Sequence, residues 1–76
     1  MTHPVIVGAG GGSMLKLERR FETILVGNAD VVEVQPQSDR PVLLKGLNSG
    51  ASNVVFLDGR SIAIANVRVI VSDARA

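Results

Sequence analysis

Apolar and polar residues alternate most regularly toward the end of the chain. Ile62, Ile64, Val67, Val69 and Val71 are apolar, and Ser61, Ala63, Asn66, Arg68 and Ser72 fall between them. A period of two marks an extended strand with one wet face. The phase slips by one residue at Ala65-Asn66, as a β-bulge requires. Just upstream, Asp58-Gly59 is a favoured tight-turn dipeptide, because glycine tolerates positive φ. Residues 53–57 and 61–71 therefore read as a hairpin. Val42-Leu43-Leu44 and Val54-Val55-Phe56 are short unbroken apolar runs, which suit strands near the centre of a sandwich.

Turn residues cut the rest finely, at 8–13, 27–28, 35–41, 46–50 and 58–59. The short runs between them (4–7, 14–18, 22–26, 31–35, 41–46, 53–57, 61–71) have the spacing of a small all-β body. Pro36 and Pro41 cannot donate to a ladder, so they bracket a loop and open a strand. Asn28 is placed to cap a single helical turn, too short to stand alone and expected to pack on the sheet through Val31. The expected fold is mainly β: a small β-sandwich of six or seven short strands with one helical turn near 28–32. The chain divides into an N-terminal strand and glycine-rich connection (1–12), one β-rich domain (13–72) and a tail (73–76). The expected core draws on Leu15, Leu17, Ile24, Val26, Val31, Val34, Leu43, Val54, Phe56, Ile62, Ile64, Val67 and Val69.

Composition narrows the function classes. Seventy-six residues make one small domain, which buries only about 60% of its unfolded surface and leaves no deep cleft between lobes. Phe21 and Phe56 are the only aromatic residues, so stacking platforms for single-stranded nucleic acid are excluded. Eight Lys/Arg against seven Asp/Glu, scattered along the chain, offer no stripe for phosphates. The absence of cysteine removes disulfides, thiol catalysis and thiolate metal sites. No stretch approaches the roughly 20 apolar residues of a membrane span. Met1 to Val7 lacks the basic and apolar segments of a secretory signal.

One motif suggests chemistry. Residues 5–13 read as a strand followed by G-x-G-x-x-S, and 13–25 also fits a helical face through Met14, Leu15, Leu17, Phe21, Ile24 and Leu25. Asp30 and Glu33 then lie about 20 residues on, where a dinucleotide fold places its ribose-binding acid. Against this, Ser13 replaces the third glycine. No helical pattern follows Val31, so no βαβ crossover is available. The simpler reading makes 8–12 a connection between two strands; a dinucleotide-binding fragment using Gly8, Gly10 and Asp30 is the alternative. His3, the only histidine, makes neither a metal site nor a nucleophile–base pair. Asp30 is expected to serve a helix start and Asp58 its turn, and Arg19-Arg20 is expected to be a solvated loop or strand end rather than an anion site. No catalytic, cofactor-binding or metal-binding residue is assigned, no cofactor is expected, and the chain is not expected to be an enzyme.

Residues 10–71 resemble the N-terminal domain of secretin-type outer-membrane proteins of pilus assembly and type II/III secretion, as in Tad/Flp pilus systems. The resemblance rests on Gly12-Ser13-Met14-Leu15-Lys16-Leu17, then Ile24-Leu25-Val26-Gly27-Asn28-Ala29-Asp30-Val31-Val32-Glu33-Val34. It continues through Val42-Leu43-Leu44-Lys45-Gly46, Gly50-Ala51-Ser52-Asn53-Val54-Val55-Phe56-Leu57-Asp58-Gly59 and the closing strand. Ala29 stands for the usual proline and Ser52 for the usual threonine. Nothing in the 76 residues resembles the pore-forming region that follows such domains. The resemblance implies a non-catalytic protein–protein interaction module in the periplasm, at the entrance of an outer-membrane secretion channel. Its implied partners are other subunits of the pilus or secretion complex, including further copies of itself, with no nucleic acid and no direct membrane insertion by this segment. An immunoglobulin-like adhesion domain is a second alternative that the strand pattern permits.

Overall fold

A computed structural model describes residues 4–38 and 40–73. They form seven strands: β1 (Val5–Gly8), β2 (Gly12–Lys16), β3 (Thr23–Val26), β4 (Val32–Pro36), β5 (Pro41–Gly46), β6 (Gly50–Leu57) and β7 (Ala63–Ser72). Two sheets stack face to face, one of four strands in the order β1-β7-β6-β3 and one of three in the order β2-β5-β4. All neighbours are antiparallel except β1, which runs parallel to β7 with Val5 opposite Val69 and Gly8 opposite Ser72. The mainly β sandwich read from the sequence is the observed fold. Lettered in chain order, the sheets are A-G-F-C and B-E-D. That is the immunoglobulin-like order with the first strand moved beside the last.

Alternation decides which side chains are inside. Val7, Val42, Leu44, Val54, Phe56, Val69 and Val71 point between the sheets and are buried, joined by Leu17, Val31, Val32 and Val67. Phe21 leans on this core from the β2–β3 connection, its ring edge-on to Phe56 at 5.4 Å between centroids. Both rings are thus spent on packing, in a geometry that adds to simple burial.

Three local expectations need correction. Residues 28–31 form a hydrogen-bonded turn and not a helix: Val31 N–H (3.1 Å) and Val32 N–H (3.5 Å) both donate to the Asn28 carbonyl, while Asp30 N–H donates to Asn28 Oδ1 at 3.1 Å, the side-chain bond expected of Asn28. Val32, almost fully buried, already starts β4 opposite Gly46, so the turn has no room to propagate. Val31 does pack into the core, as expected. The β6–β7 register slips between Phe56, opposite Ala65, and Leu57, opposite Ala63. Ile64 is therefore the extra residue, one position ahead of the slip read from the sequence. Ile62 consequently falls in the loop and is 54% exposed, outside the core to which its pattern assigned it. In β5 the inward residues are Val42 and Leu44, with Leu43 half-buried on the outer face.

Candidate interaction surface

The glycine-rich segment after β1 is a crossing between the sheets. Ala9 N–H donates to Ser72 O, Gly10 N–H to Gly46 O and Gly11 N–H to Gly8 O, each at 2.9 Å; Gly46 N–H returns a bond to Gly11 O at 3.0 Å. Gly10 adopts a left-handed conformation (φ 82°), which only glycine takes up without cost. At Gly46 a Cβ would stand 2.5 Å from Gly8 O and 3.1 Å from Val71 Cγ1, so the two sheets approach here at backbone distance. The N–H groups a phosphate would need are committed within the chain. The element after this crossing is the strand β2 and not a helix. Gly8 and Gly10 therefore sit in a structural corner, and Asp30 lies in a different one.

That second corner joins two of the motif blocks on which the family resemblance rests, the one around Gly27-Asn28 and the one around Ser52-Asn53. Ser52, the one buried polar residue among those described (6% exposed), accepts a bond from Asn28 N–H at 2.9 Å through its hydroxyl and donates to Asn53 O at 3.2 Å. Gly27 N–H donates to Asn53 O at 2.8 Å. Across the β5–β6 loop, Asn48 Nδ2 donates to Asp30 O at 2.7 Å, and Leu47 N–H to Val31 O at 2.8 Å. Asp30 contributes its backbone to this corner. Glu33 lies elsewhere, on the outer face of β4 opposite Lys45, so the two acids do not converge. The sequence showed both blocks but not that they meet; their shared turn residues were the available signal.

The β6–β7 loop is closed by Asp58. Its Oδ1 accepts Arg60 N–H at 2.9 Å and Ile62 N–H at 3.0 Å. The left-handed residue of the loop is Ser61 (φ 64°) rather than Gly59. These backbone bonds, Ile62 first and Arg60 second, hold the Asp58 carboxyl below the usual carboxylate value, with the Arg19 guanidinium a smaller contributor. Arg19 Nη2 lies 3.8 Å from Asp58 Oδ2 while its side chain stays 69% exposed, an ion pair of little energetic weight. Arg19 thus belongs to the β2–β3 connection beside this loop, on the shallow hollow it lines with Arg60 and Ile62. His3 lies outside the described residues.

With polar side chains drawn into corners, the features left outward are sheet face and sheet edge. The outer face of the four-stranded sheet carries Ile6 beside Ile70 and Leu25 beside Val55, with Ile6 and Leu25 well exposed. The outer face of the smaller sheet sets exposed Met14 against Leu43, next to the facing charges of Glu33 and Lys45. Among the described residues no three metal-ligating side chains cluster.

Fold and surface together define a class: a small two-sheet module whose sequence motifs build its corners and whose outward features are apolar faces and strand edges. The particular family is given by comparison with known proteins. Residues 2–72 match the family described as the pilus formation protein N terminal region, of type II and type III secretion and pilus systems, and the chain belongs to it. Comparison with curated proteins and with solved structures found no match.

Proposed function

We propose that this domain is a non-catalytic periplasmic module of a pilus-assembly or type II/III secretion apparatus, acting by contact with other subunits. The observation that carries the reading is membership of the pilus-formation family over residues 2–72. The geometry supports it in one respect. The glycine loop, Asn28, Ser52 and Asp58 have their hydrogen bonds closed inside the fold, while Ile6, Met14 and Leu25 face outward on strands. Exposed apolar residues on sheet faces and edges are the usual material of assembly contacts.

The test is made in the cell that produces the protein. The expected outcome is that removing residues 4–72 abolishes pilus formation or secretion. Amine-reactive cross-linking of the intact protein through Lys16 and Lys45 is expected to capture other components of the apparatus in the envelope fraction. Undiminished output after the deletion, or a protein confined to the cytoplasmic fraction, would overturn the reading.

A further inference from the structure

The sandwich has four edge strands, β1 and β3 in the larger sheet and β2 and β4 in the smaller. Natural sheets blunt such edges with charges, prolines or short strands, because unpaired backbone groups recruit other strands. β1 follows Pro4, β2 ends on Lys16, and β4 carries Glu33 and ends on Pro36. β3, Thr23-Ile24-Leu25-Val26, has neither a charge nor a proline, and its only guard is its length of four residues. The described chain begins at Pro4 beside β1 and stops at Asp73 after β7, so β6 stands between either end and β3. The loop at 37–40 joins strands of the other sheet.

Backbone geometry says which groups β3 leaves free. Gly27 N–H donates to Asn53 O at 2.8 Å. These two residues continue the register that sets Val26 opposite Val54 and Leu25 opposite Val55. Hydrogen-bonded and non-hydrogen-bonded pairs alternate along an antiparallel ladder. Leu25 is therefore bonded to Val55, and the N–H and C=O of Ile24 and Val26 point away from β6, off the sheet edge. These two residues sit symmetrically about Leu25, whose side chain is on the outer face and 52% exposed. Ile24 and Val26 turn inward and are partly buried against the core.

Such an edge is its own complement. We propose that β3 pairs antiparallel with β3 of a second copy of this chain, about a two-fold axis between the two Leu25 residues. Ile24 and Val26 then exchange backbone bonds with Val26 and Ile24 of the second copy. Leu25 faces Leu25 of the second copy in a non-hydrogen-bonded pair, where Cα atoms approach to about 4.5 Å. Val55 lies beside each, so the outer face gains an unbroken apolar row across the join. On the inner face Ile24 meets Val26 of the second copy, which takes both further out of water. The flanks agree as well: Thr23 comes opposite Gly27 and Glu22 opposite Asn28, so no like charges meet. The two-fold contact uses the same edge on both copies and does not propagate. A ladder of four residues belongs to the weak class of contacts below about 1,200 Å², so pairing is expected at millimolar concentration. The proposal rests on the interaction-module reading and names one contact of that module.

The test is sedimentation equilibrium of the pure 76-residue chain from micromolar to millimolar concentration. The expected result is a mean mass that rises from one chain toward two and no further. Amide exchange at Ile24 and Val26 is expected to slow over the same range, while Leu25, already bonded to Val55, stays unchanged. Leu25→Lys sets two cations face to face and is expected to weaken association about tenfold or more, as is Leu25→Glu. Mixed in equal amounts, the two variants set opposite charges face to face and are expected to regain it. Amide spectra of β6 and β7 check that both variants stay folded. A mass that stays at one chain, growth beyond two, association unchanged by Leu25→Lys, or a mixture no better than either variant alone would each overturn the proposal. So would slowed exchange at Ile24 and Val26 only when other envelope components are added, which would give the edge to a different partner. A monomeric chain beside intact cross-links to the apparatus would remove this contact and leave the module reading standing.

Discussion

At the scale of single residues, the apolar core holds the sheets together and a few polar bonds between motif residues fix its corners. Ser52 is the clearest. Its hydroxyl is the acceptor for Asn28 N–H, and without it that donor loses its protein partner at the β3–β4 corner. Ser52→Ala is expected to lower stability by about 1 kcal/mol in chemical denaturation, while Ser52→Thr, which keeps the hydroxyl, retains most of it. Equal stability of the alanine variant would show that the bond contributes nothing. Gly46→Ala tests a different force. With Gly8 O and Val71 Cγ1 at the distances found, a methyl group must push the sheets apart. The expected loss is about 1–3 kcal/mol, the usual cost of overpacking, read as a lower midpoint of thermal unfolding.

At the scale of elements, the β6–β7 loop carries a pH dependence whose sign is set by its bonds. The Asp58 carboxyl is held below its ordinary value because its ionised form accepts Ile62 N–H and Arg60 N–H. A lowered value in the folded state means a contribution fully present above the unfolded carboxylate value and lost as pH falls through the lowered one. The Arg60 and Ile62 amide shifts should therefore titrate together, at a lower pH than in an unstructured peptide of residues 56–64. A midpoint equal to the peptide's would show that the loop does not depend on these bonds. β6 and β7 themselves were legible in the sequence, because one wet face leaves a period-two pattern. The phase of β5 was not: Val42, Leu43 and Leu44 are all apolar, so pattern alone cannot say that Leu43 turns outward. The bulge was legible as a slip but not to the residue, since Ile64 and Ala65 both pack against the core and either satisfies the apolar count. The glycine loop was locally ambiguous. Ser13 to Leu25 fits a helical face, and the residue that settles it is Gly46, more than 30 residues away in the chain.

At the scale of the whole molecule, the immunoglobulin-like strand order explains why so short a chain holds a two-sided core. Three of the four crossings between sheets, β1–β2, β3–β4 and β5–β6, are short corners built from glycine or asparagine motifs, while the β2–β3 crossing at 17–22 has neither and instead turns Phe21 onto the core. The same economy leaves the candidate site largely illegible in sequence. The outward apolar pairs, Ile6 beside Ile70 and Leu25 beside Val55, meet only through the register of strands far apart in the chain, which residue types alone do not announce. Far-ultraviolet circular dichroism of the isolated chain should show β structure without the double minimum of a helix. Millimolar nicotinamide dinucleotide should leave the Gly8, Gly10 and Gly11 amide signals unmoved.

Amide hydrogen exchange, read residue by residue, distinguishes closed corners from an open glycine loop leading into a helix. If the motif segments are closed corners of a sandwich, Gly10, Gly46 and Asn28, which donate to Gly46 O, Gly11 O and Ser52 Oγ, are expected to exchange slowly together with the β6–β7 ladder. Rapid exchange at those three positions, with protection spread instead over every amide from Ser13 to Leu25 in the manner of a helix, would contradict it.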